Sequence, residues 1–350
     1  MDLIIIIFLL GGLFLGWSLG ANDAANVFGT AVGTRMIRFK TAAVVCSLFV
    51  ILGAIISGAG TTETLGKLGA INALPGAFSA CVAAGLSVYL MTKLGLPVST
   101  TQAIVGAIVG WNLYTGSPTN IKVLITILGT WVLCPVIAAI VAMFFFIIIK
   151  KFINQSKWHI LRLDAYTRTA LLLAGAFGAY SLGANNIANV MGVFVPISPF
   201  TDIDILNVFT FSSKKQLFLL GGIAIAVGVF TYSKRVMLTV GNDLLKMSPV
   251  AAFIVVLSHS IVLFLFASQG ISNFLQSMNL PSIPLVPVSS SQAVVGAVIG
   301  IGLLKGGKEV KWGIAGKITI GWFILPVIAA LISFVILFIL QNMFNQNVNY

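Results

Sequence analysis

Asn22, Asp23 and Asn26 place a carboxylate and two carboxamides close together inside an otherwise apolar stretch. A charge in a membrane helix is costly, so an acidic residue there marks a functional site by default. Carboxylate oxygens, amide oxygens and freed backbone carbonyls are the ligands that a hard cation such as sodium prefers. The same spacing returns as Asn185, Asn186 and Asn189. The competing reading is that these side chains only hydrogen-bond between helices, as polar residues do in membranes. Gly20 and Gly183 precede the two sets, where a helix either breaks or meets another backbone closely.

A second pattern also occurs twice. Residues 97–102 read Pro-Val-Ser-Thr-Thr-Gln and residues 287–292 read Pro-Val-Ser-Ser-Ser-Gln, each ahead of an apolar run. Proline and hydroxyl residues in that place signal a helix start. The unpaired N–H groups of a first helical turn, with the helix dipole, favour an anion. The hydroxyls of Ser99, Thr100, Thr101, Ser289, Ser290 and Ser291 and the amides of Gln102 and Gln292 add donors. Capping alone needs a single hydroxyl. None of the four motifs holds Lys or Arg. A mobile cation beside Asp23 would supply the positive charge an anion needs, which gives a physical reason for moving the two together.

These clusters sit in a chain of 350 residues with 59% hydrophobic and 8% charged residues. Soluble domains carry about 25% charge, and a soluble fold cannot hide this much hydrocarbon. The chain is therefore expected in a lipid bilayer. Its net charge of +12 fits lysines and arginines that hold loops on the cytoplasmic side, and no nucleic-acid partner is expected. Cys46, Cys81 and Cys134 fall in apolar stretches and read as small buried hydrophobes. The N-terminus carries Asp2 instead of the basic start of a signal peptide and reads as a retained first helix.

The motifs belong to one unit used twice. Leu19–Gly29 and Leu182–Gly192 share eight of eleven residues, and 97–110 and 287–300 share nine of fourteen. Trp131–Ala139 likewise parallels Trp322–Ala330, in the same order along the chain. Polar letters recur in register, which apolar composition alone does not produce. Each copy holds five hydrophobic stretches, near 3–34, 41–60, 72–93, 97–112 and 121–149, then near 169–197, 216–232, 248–270, 287–304 and 313–341. A span takes about 20 helical residues. The first stretch of each copy is too long and is interrupted by the Gly-Ala-Asn motif, while the fourth is too short. Broken and undersized helices at matching positions point to a transporter binding site.

The expected fold is an all-α polytopic membrane protein with an inverted-topology internal repeat and broken and re-entrant helices. Its expected parts are a first repeat at 1–149, a basic cytoplasmic connector at 150–168, an inverted second repeat at 169–341 and a polar tail at 342–350. With five crossings per copy and the N-terminus outside, sixteen Lys and Arg fall inside and four fall outside, at Lys67, Lys122, Lys214 and Lys215. Both termini are then external. The fourth stretch stays open between a full crossing and a re-entrant segment.

The run GANDAANVFGTAVGT from Gly20, with GANNIANV from Gly183, resembles the signature of the inorganic phosphate transporter (PiT) family. The paired PVSTTQ and PVSSSQ motifs are similar to that family's, and the resemblance extends over both copies. It implies a secondary active importer of inorganic phosphate in the plasma (inner) membrane, coupled to sodium or protons, with no cofactor and with room for a homodimer. On matching positions it puts phosphate among Asn22, Thr100, Thr101, Gln102, Asn185, Ser290, Ser291 and Gln292. It puts sodium near Asp23, Asn26, Asn186 and Asn189. Many members carry aspartate in both Gly-Ala-Asn motifs, whereas the second copy here has Asn186. Animal members carry a glutamate in the second span, and Leu48–Gly53 holds no acidic residue. With few titratable groups at the site, sodium is favoured over protons. Another oxyanion such as sulfate is the main alternative cargo.

Other residues carry less. His159 reads as a solvated loop residue, and His259 as a satisfied core histidine ahead of a proton relay. Glu63 and Lys67 read as a helix-face pair. An ATP-binding loop of the GxxxxGK(S/T) kind does not occur. An intramembrane enzyme would need a catalytic pair that the motifs do not offer, and the duplicated site favours alternating access over a passive channel.

Overall fold

In a computed structural model the described residues are 3–69, 71–93, 98–156, 159–205, 209–243, 247–308 and 310–350; Asp2, Pro97 and Lys157 lie outside them. The first copy folds into α1 (Leu3–Gly33), α2 (Phe39–Ser57), α3 (Ala59–Gly69), α4 (Leu74–Lys93), α5 (Thr100–Thr115) and α6 (Ile121–Ser156). The second folds into α7 (Ile160–Met191), a 3-10 turn (Gly192–Ile197), α8 (Ser213–Thr231), α9 (Ser233–Asp243), α10 (Pro249–Ala267), α11 (Gln269–Ser277), α12 (Ser290–Leu304) and α13 (Trp312–Met343). A short antiparallel ribbon, β1 (Ile203–Ile205) on β2 (Phe209–Phe211), is the exception to an all-helical chain among the described residues. Among the described residues, seven helices, α1, α2, α4, α6, α8, α10 and α13, are long and apolar enough to cross a membrane. The C-terminal half of α7, with its three asparagines, is buried in the protein and has no need to be uniformly apolar.

The inverted repeat is written into the helix crossings. A Cβ on Gly20 would strike the Ile225 carbonyl on α8, and one on Gly228 of α8 would strike Trp17 on α1. In the mirrored crossing, Gly183 meets Val50 on α2 and Gly53 of α2 meets Tyr180 on α7. A second couple follows the same rule: Gly106 and Gly110 of α5 lie on Pro326 and Ala330 of α13, while Gly296 and Gly300 of α12 lie on Pro135 and Ala139 of α6. Close backbone approach through small residues is how helices associate without a hydrophobic drive. Every one of these crossings joins one copy to the other, so the copies are interlocked.

The helix break expected at the Gly-Ala-Asn motifs does not occur. Both α1, with 31 residues, and α7, with 32, run through the motif. The glycines serve the other purpose, close approach. Breaks fall elsewhere, at Gly58 between α2 and α3, at Tyr232 between α8 and α9, and at Ser268 between α10 and α11. Helices α1 and α7 run antiparallel, with Gly12 against Met191 and Gly175 against Phe28. These contacts are related by the repeat and set Gly20 and Gly183 at one depth.

The short fourth stretches begin mid-depth. Helix α4 runs parallel to α1: the Phe8 and Phe78 rings are 5.8 Å apart, Gly85 packs on Phe14, and Asn22 Nδ2 donates to Thr92 Oγ1 at 2.8 Å. Helix α5 starts beside Asp23 and returns until Trp111 packs on Gly76, near the start of α4. The pair is a re-entrant hairpin rather than two crossings. Lys93 therefore stands at the hairpin's tip, not in a cytoplasmic loop. Helices α10 and α12 form the counterpart, and Leu304 at the end of α12 lies beside Lys150 at the end of α6. A hairpin leaves sidedness unchanged, so each copy still makes an odd number of net crossings.

Two expected segments differ in form. Most of 150–168 is not a loop, because α6 continues to Ser156 and α7 starts at Ile160, capped by His159. Helix ends outside the hydrocarbon still bond their own backbone, and Arg168 adds an i,i+4 pair with Asp164 at 3.2 Å. The tail folds back: Trp111 Nε1 donates to the Val348 carbonyl at 3.0 Å, and Tyr350 N donates to Asn72 Oδ1 at 3.1 Å.

Candidate ion-binding site

The two hydroxyl motifs form two helix starts that meet. Ser99 and Ser289 are the N-caps, each accepting from the backbone N–H three residues on, Gln102 and Gln292, at 3.2 Å. Capping therefore consumes one serine per motif. Thr100, Thr101, Ser290 and Ser291 are left for other work, and the first N–H groups of each helix have no intrahelical acceptor. Thr101 Oγ1 donates to the Val288 carbonyl at 3.3 Å, so the start of α5 touches the segment leading into α12.

The Gly-Ala-Asn motifs bracket this meeting point. Thr100 Oγ1 donates to Asp23 Oδ2 at 3.3 Å. Asn189 Nδ2 donates to Thr101 Oγ1 at 2.9 Å and to Asn186 Oδ1 at 2.8 Å. Asn185 Oδ1 accepts from the Val288 N–H at 2.9 Å, and its Nδ2 donates to the Leu263 carbonyl at 3.4 Å. All of these side chains are buried. Asp23, Asn186, Asn189, Asn185, Thr100 and Thr101 are thus linked through α5 and the approach to α12.

Asn22 and Asn185 stand one step back. Asn22 ties α1 to the end of α4, and Asn185 spends both ends of its amide on backbone of the α10–α12 hairpin. Both thereby hold the hairpins; Asn185 has no amide atom to spare, whereas Asn22 keeps its Oδ1 without a protein donor. Gln102 and Gln292 lie in the first turns with buried Oε1 atoms that have no protein donor. The same holds for Asp23 Oδ1, Asn22 Oδ1 and Asn189 Oδ1, while Asn26 presents an unpartnered Nδ2. Buried, unpartnered oxygens of this kind suit a hard cation, beside helix starts that suit an anion.

One contact escaped the motif reading. His259, on α10, brings Nε2 to 2.8 Å from Ser290 Oγ. An isolated histidine in an apolar run gave no signal of its partner, which lies on another element of the same hairpin.

The sequence matches the phosphate transporter family over residues 19–273 and 279–349. The chain belongs to the phosphate transporter family. As a member it is a multi-pass membrane transporter and not an enzyme. Two relatives, each named "putative phosphate permease", come from Pyrococcus abyssi and Methanocaldococcus jannaschii. The first is 28% identical, covering 97% of this chain and 98% of its own. The second is 29% identical, covering 92% and 93%. A solved structure described as "the sodium-dependent phosphate transporter" shares the fold with a TM-score of 0.75, at 24% identity over 97% of this chain and 99% of the other.

Proposed function

We propose that this family member imports inorganic phosphate by symport with sodium, by alternating access about the meeting point of α5 and α12. What carries this reading is the bond chain from Asn189 through Thr101 to Val288. It sets a cation-suited motif from one copy against an anion-suited helix start from the other. Thr100, Thr101, Gln102, Ser290, Ser291 and Gln292 hold phosphate through hydroxyls, amides and first-turn N–H groups. Asn22 and Asn185 fix the hairpins that present them. Asp23, Asn26, Asn186 and Asn189 serve sodium, whose charge offsets that of phosphate. The sodium dependence named for the fold neighbour agrees with this choice.

The copies are inverted and interlocked, so exchanging their conformations opens the opposite side. With Lys93 at the hairpin tip, fifteen basic residues inside against four outside support a place in the plasma (inner) membrane with both termini outside. The tail's contact with Asn72 puts the C-terminus on the side where α4 starts, as that orientation requires. Uptake of labelled phosphate into proteoliposomes, with sodium and proton gradients imposed separately, tests the reading. Accumulation driven by a proton gradient alone would replace sodium by protons. Full inhibition by excess sulfate would replace phosphate by oxyanions in general.

A further inference from the structure

Each copy sets the first hydroxyl of its helix start against a different titratable partner. In the first copy, Thr100 Oγ1 donates to Asp23 Oδ2 at 3.3 Å. In the second, Ser290 Oγ lies 2.8 Å from His259 Nε2. The imidazole is fully buried. Gly85 meets Phe14 and Leu15 as Ser260 meets Gly178, so the repeat matches His259 with Ala84, and the histidine belongs to one copy alone.

The ring's other nitrogen settles the direction of the bond. Nδ1 is buried with no partner. A buried N–H without an acceptor is rarer in folded proteins than an acceptor left short of a donor. The neutral ring therefore keeps its hydrogen on Nε2, which donates to Ser290 Oγ, and the serine hydrogen is released to point elsewhere. Thr100 is set the other way. Its hydrogen is committed to a carboxylate that, when ionised, only accepts, so its free lone pairs face outward. The two hydroxyls share one neighbourhood, because Thr101 reaches the carbonyl of Val288, two residues ahead of Ser290.

We propose that His259 is a positioning residue that fixes Ser290 as a donor, opposite a Thr100 fixed by Asp23 as an acceptor, so that the pair selects a tetrahedral oxyanion bearing a hydrogen. This rests on the reading that the helix starts hold phosphate. Hydrogen phosphate offers an unprotonated oxygen to Ser290 and a P–OH to Thr100. Sulfate at neutral pH has no hydrogen, and its oxygen would face the Thr100 lone pairs with nothing between them. Leaving a buried polar group unpaired is how hydrogen-bonding sites reject a near-isostere strongly.

The test is phosphate uptake into proteoliposomes at saturating sodium, with KM, kcat and the inhibition constant of sulfate measured for each variant. His259→Leu should raise the phosphate KM by about 10- to 100-fold, the cost of one bond to a charged ligand, with kcat changing less. His259→Gln, which keeps a donor, should recover most of the loss, and it stands in if the leucine variant does not fold. In a Ser290→Ala background, His259→Leu should cost nothing more, because the histidine acts through that hydroxyl. Thr100→Val should reduce the preference for phosphate over sulfate at least tenfold. An unchanged KM in folded His259→Leu, an equal cost in the Ser290→Ala background, or unchanged selectivity in Thr100→Val would each overturn the inference. A normal KM in Ser290→Ala alone would instead overturn the placement of phosphate at the helix starts.

Discussion

Asn189 donates from Nδ2 to the hydroxyl of Thr101 at 2.9 Å, joining the second copy's motif to the first copy's helix start. The repeat predicts a mirrored bond from Asn26 to Ser291, yet Asn26 Nδ2 has no partner. The site is closed on one diagonal and open on the other. The opposite-facing state should form the Asn26–Ser291 bond and release Asn189. Asn189→Ala should therefore disfavour the present conformation, and Asn26→Ala should favour it. Thiol-labelling rates of a cysteine at Thr92 are the readout, with reagent added from each side in turn. The two variants should move the rates in opposite directions, and a shift of the same sign would rule out the exchange.

The hydroxyls beyond the caps should carry phosphate binding. Thr101→Ala with Ser291→Ala removes two hydroxyls and spares the capping serines. Each lost bond to a charged ligand is worth about 1.5–3 kcal/mol, so affinity should drop roughly 100- to 10,000-fold while helicity is retained. Titration calorimetry with circular dichroism on the same sample checks both. Normal affinity would mean that these residues only build the helix starts.

Asp23→Asn makes the first motif read like the second, with size nearly conserved and the charge gone. Sodium should bind more weakly, and phosphate affinity at limiting sodium should fall with it. In the unaltered protein each ion should raise the other's affinity by one common factor, typically about 5- to 150-fold. Unchanged sodium activation in the folded variant would move the cation elsewhere.

The interlocking glycines should tolerate nothing larger. Gly20→Val, Gly183→Val, Gly106→Val and Gly296→Val drive a side chain into facing backbone, beyond the usual overpacking cost of about 1–3 kcal/mol. They should abolish the monodisperse peak in size-exclusion chromatography. Gly129→Ala and Gly313→Ala, where a Cβ meets nothing within 4 Å, should leave it intact.

Much of this was legible from residue types. Recurrent Asn, Ser and Gln gave the duplication, and the short fourth stretch gave the hairpin as one of two options. What escaped depends on partners distant in sequence. Gly20 and Gly183 announced a special backbone position, but only the Ile225 and Val50 carbonyls decide between break and close approach. The connector looked like a loop because Lys and Arg signal water, yet they sit equally well on helix ends beyond the hydrocarbon. His259 showed no chemistry until Ser290 came beside it. Asn185 looked like a free ligand until its amide was found bonded at both ends.

The interlocking also bears on how the chain is made. The Pro326 and Ala330 face of α13, which receives Gly106 and Gly110 of α5, leaves the ribosome roughly 200 residues after those glycines. At about 5–20 residues per second, that is on the order of ten to forty seconds. Throughout that interval α5 has no helix to lie against on its glycine side, and its polar start has only half of its neighbours. Synthesis should thus pass through a long-lived, half-assembled membrane intermediate. The insertion machinery, or a chaperone within the bilayer, has to shelter it until the last helix arrives.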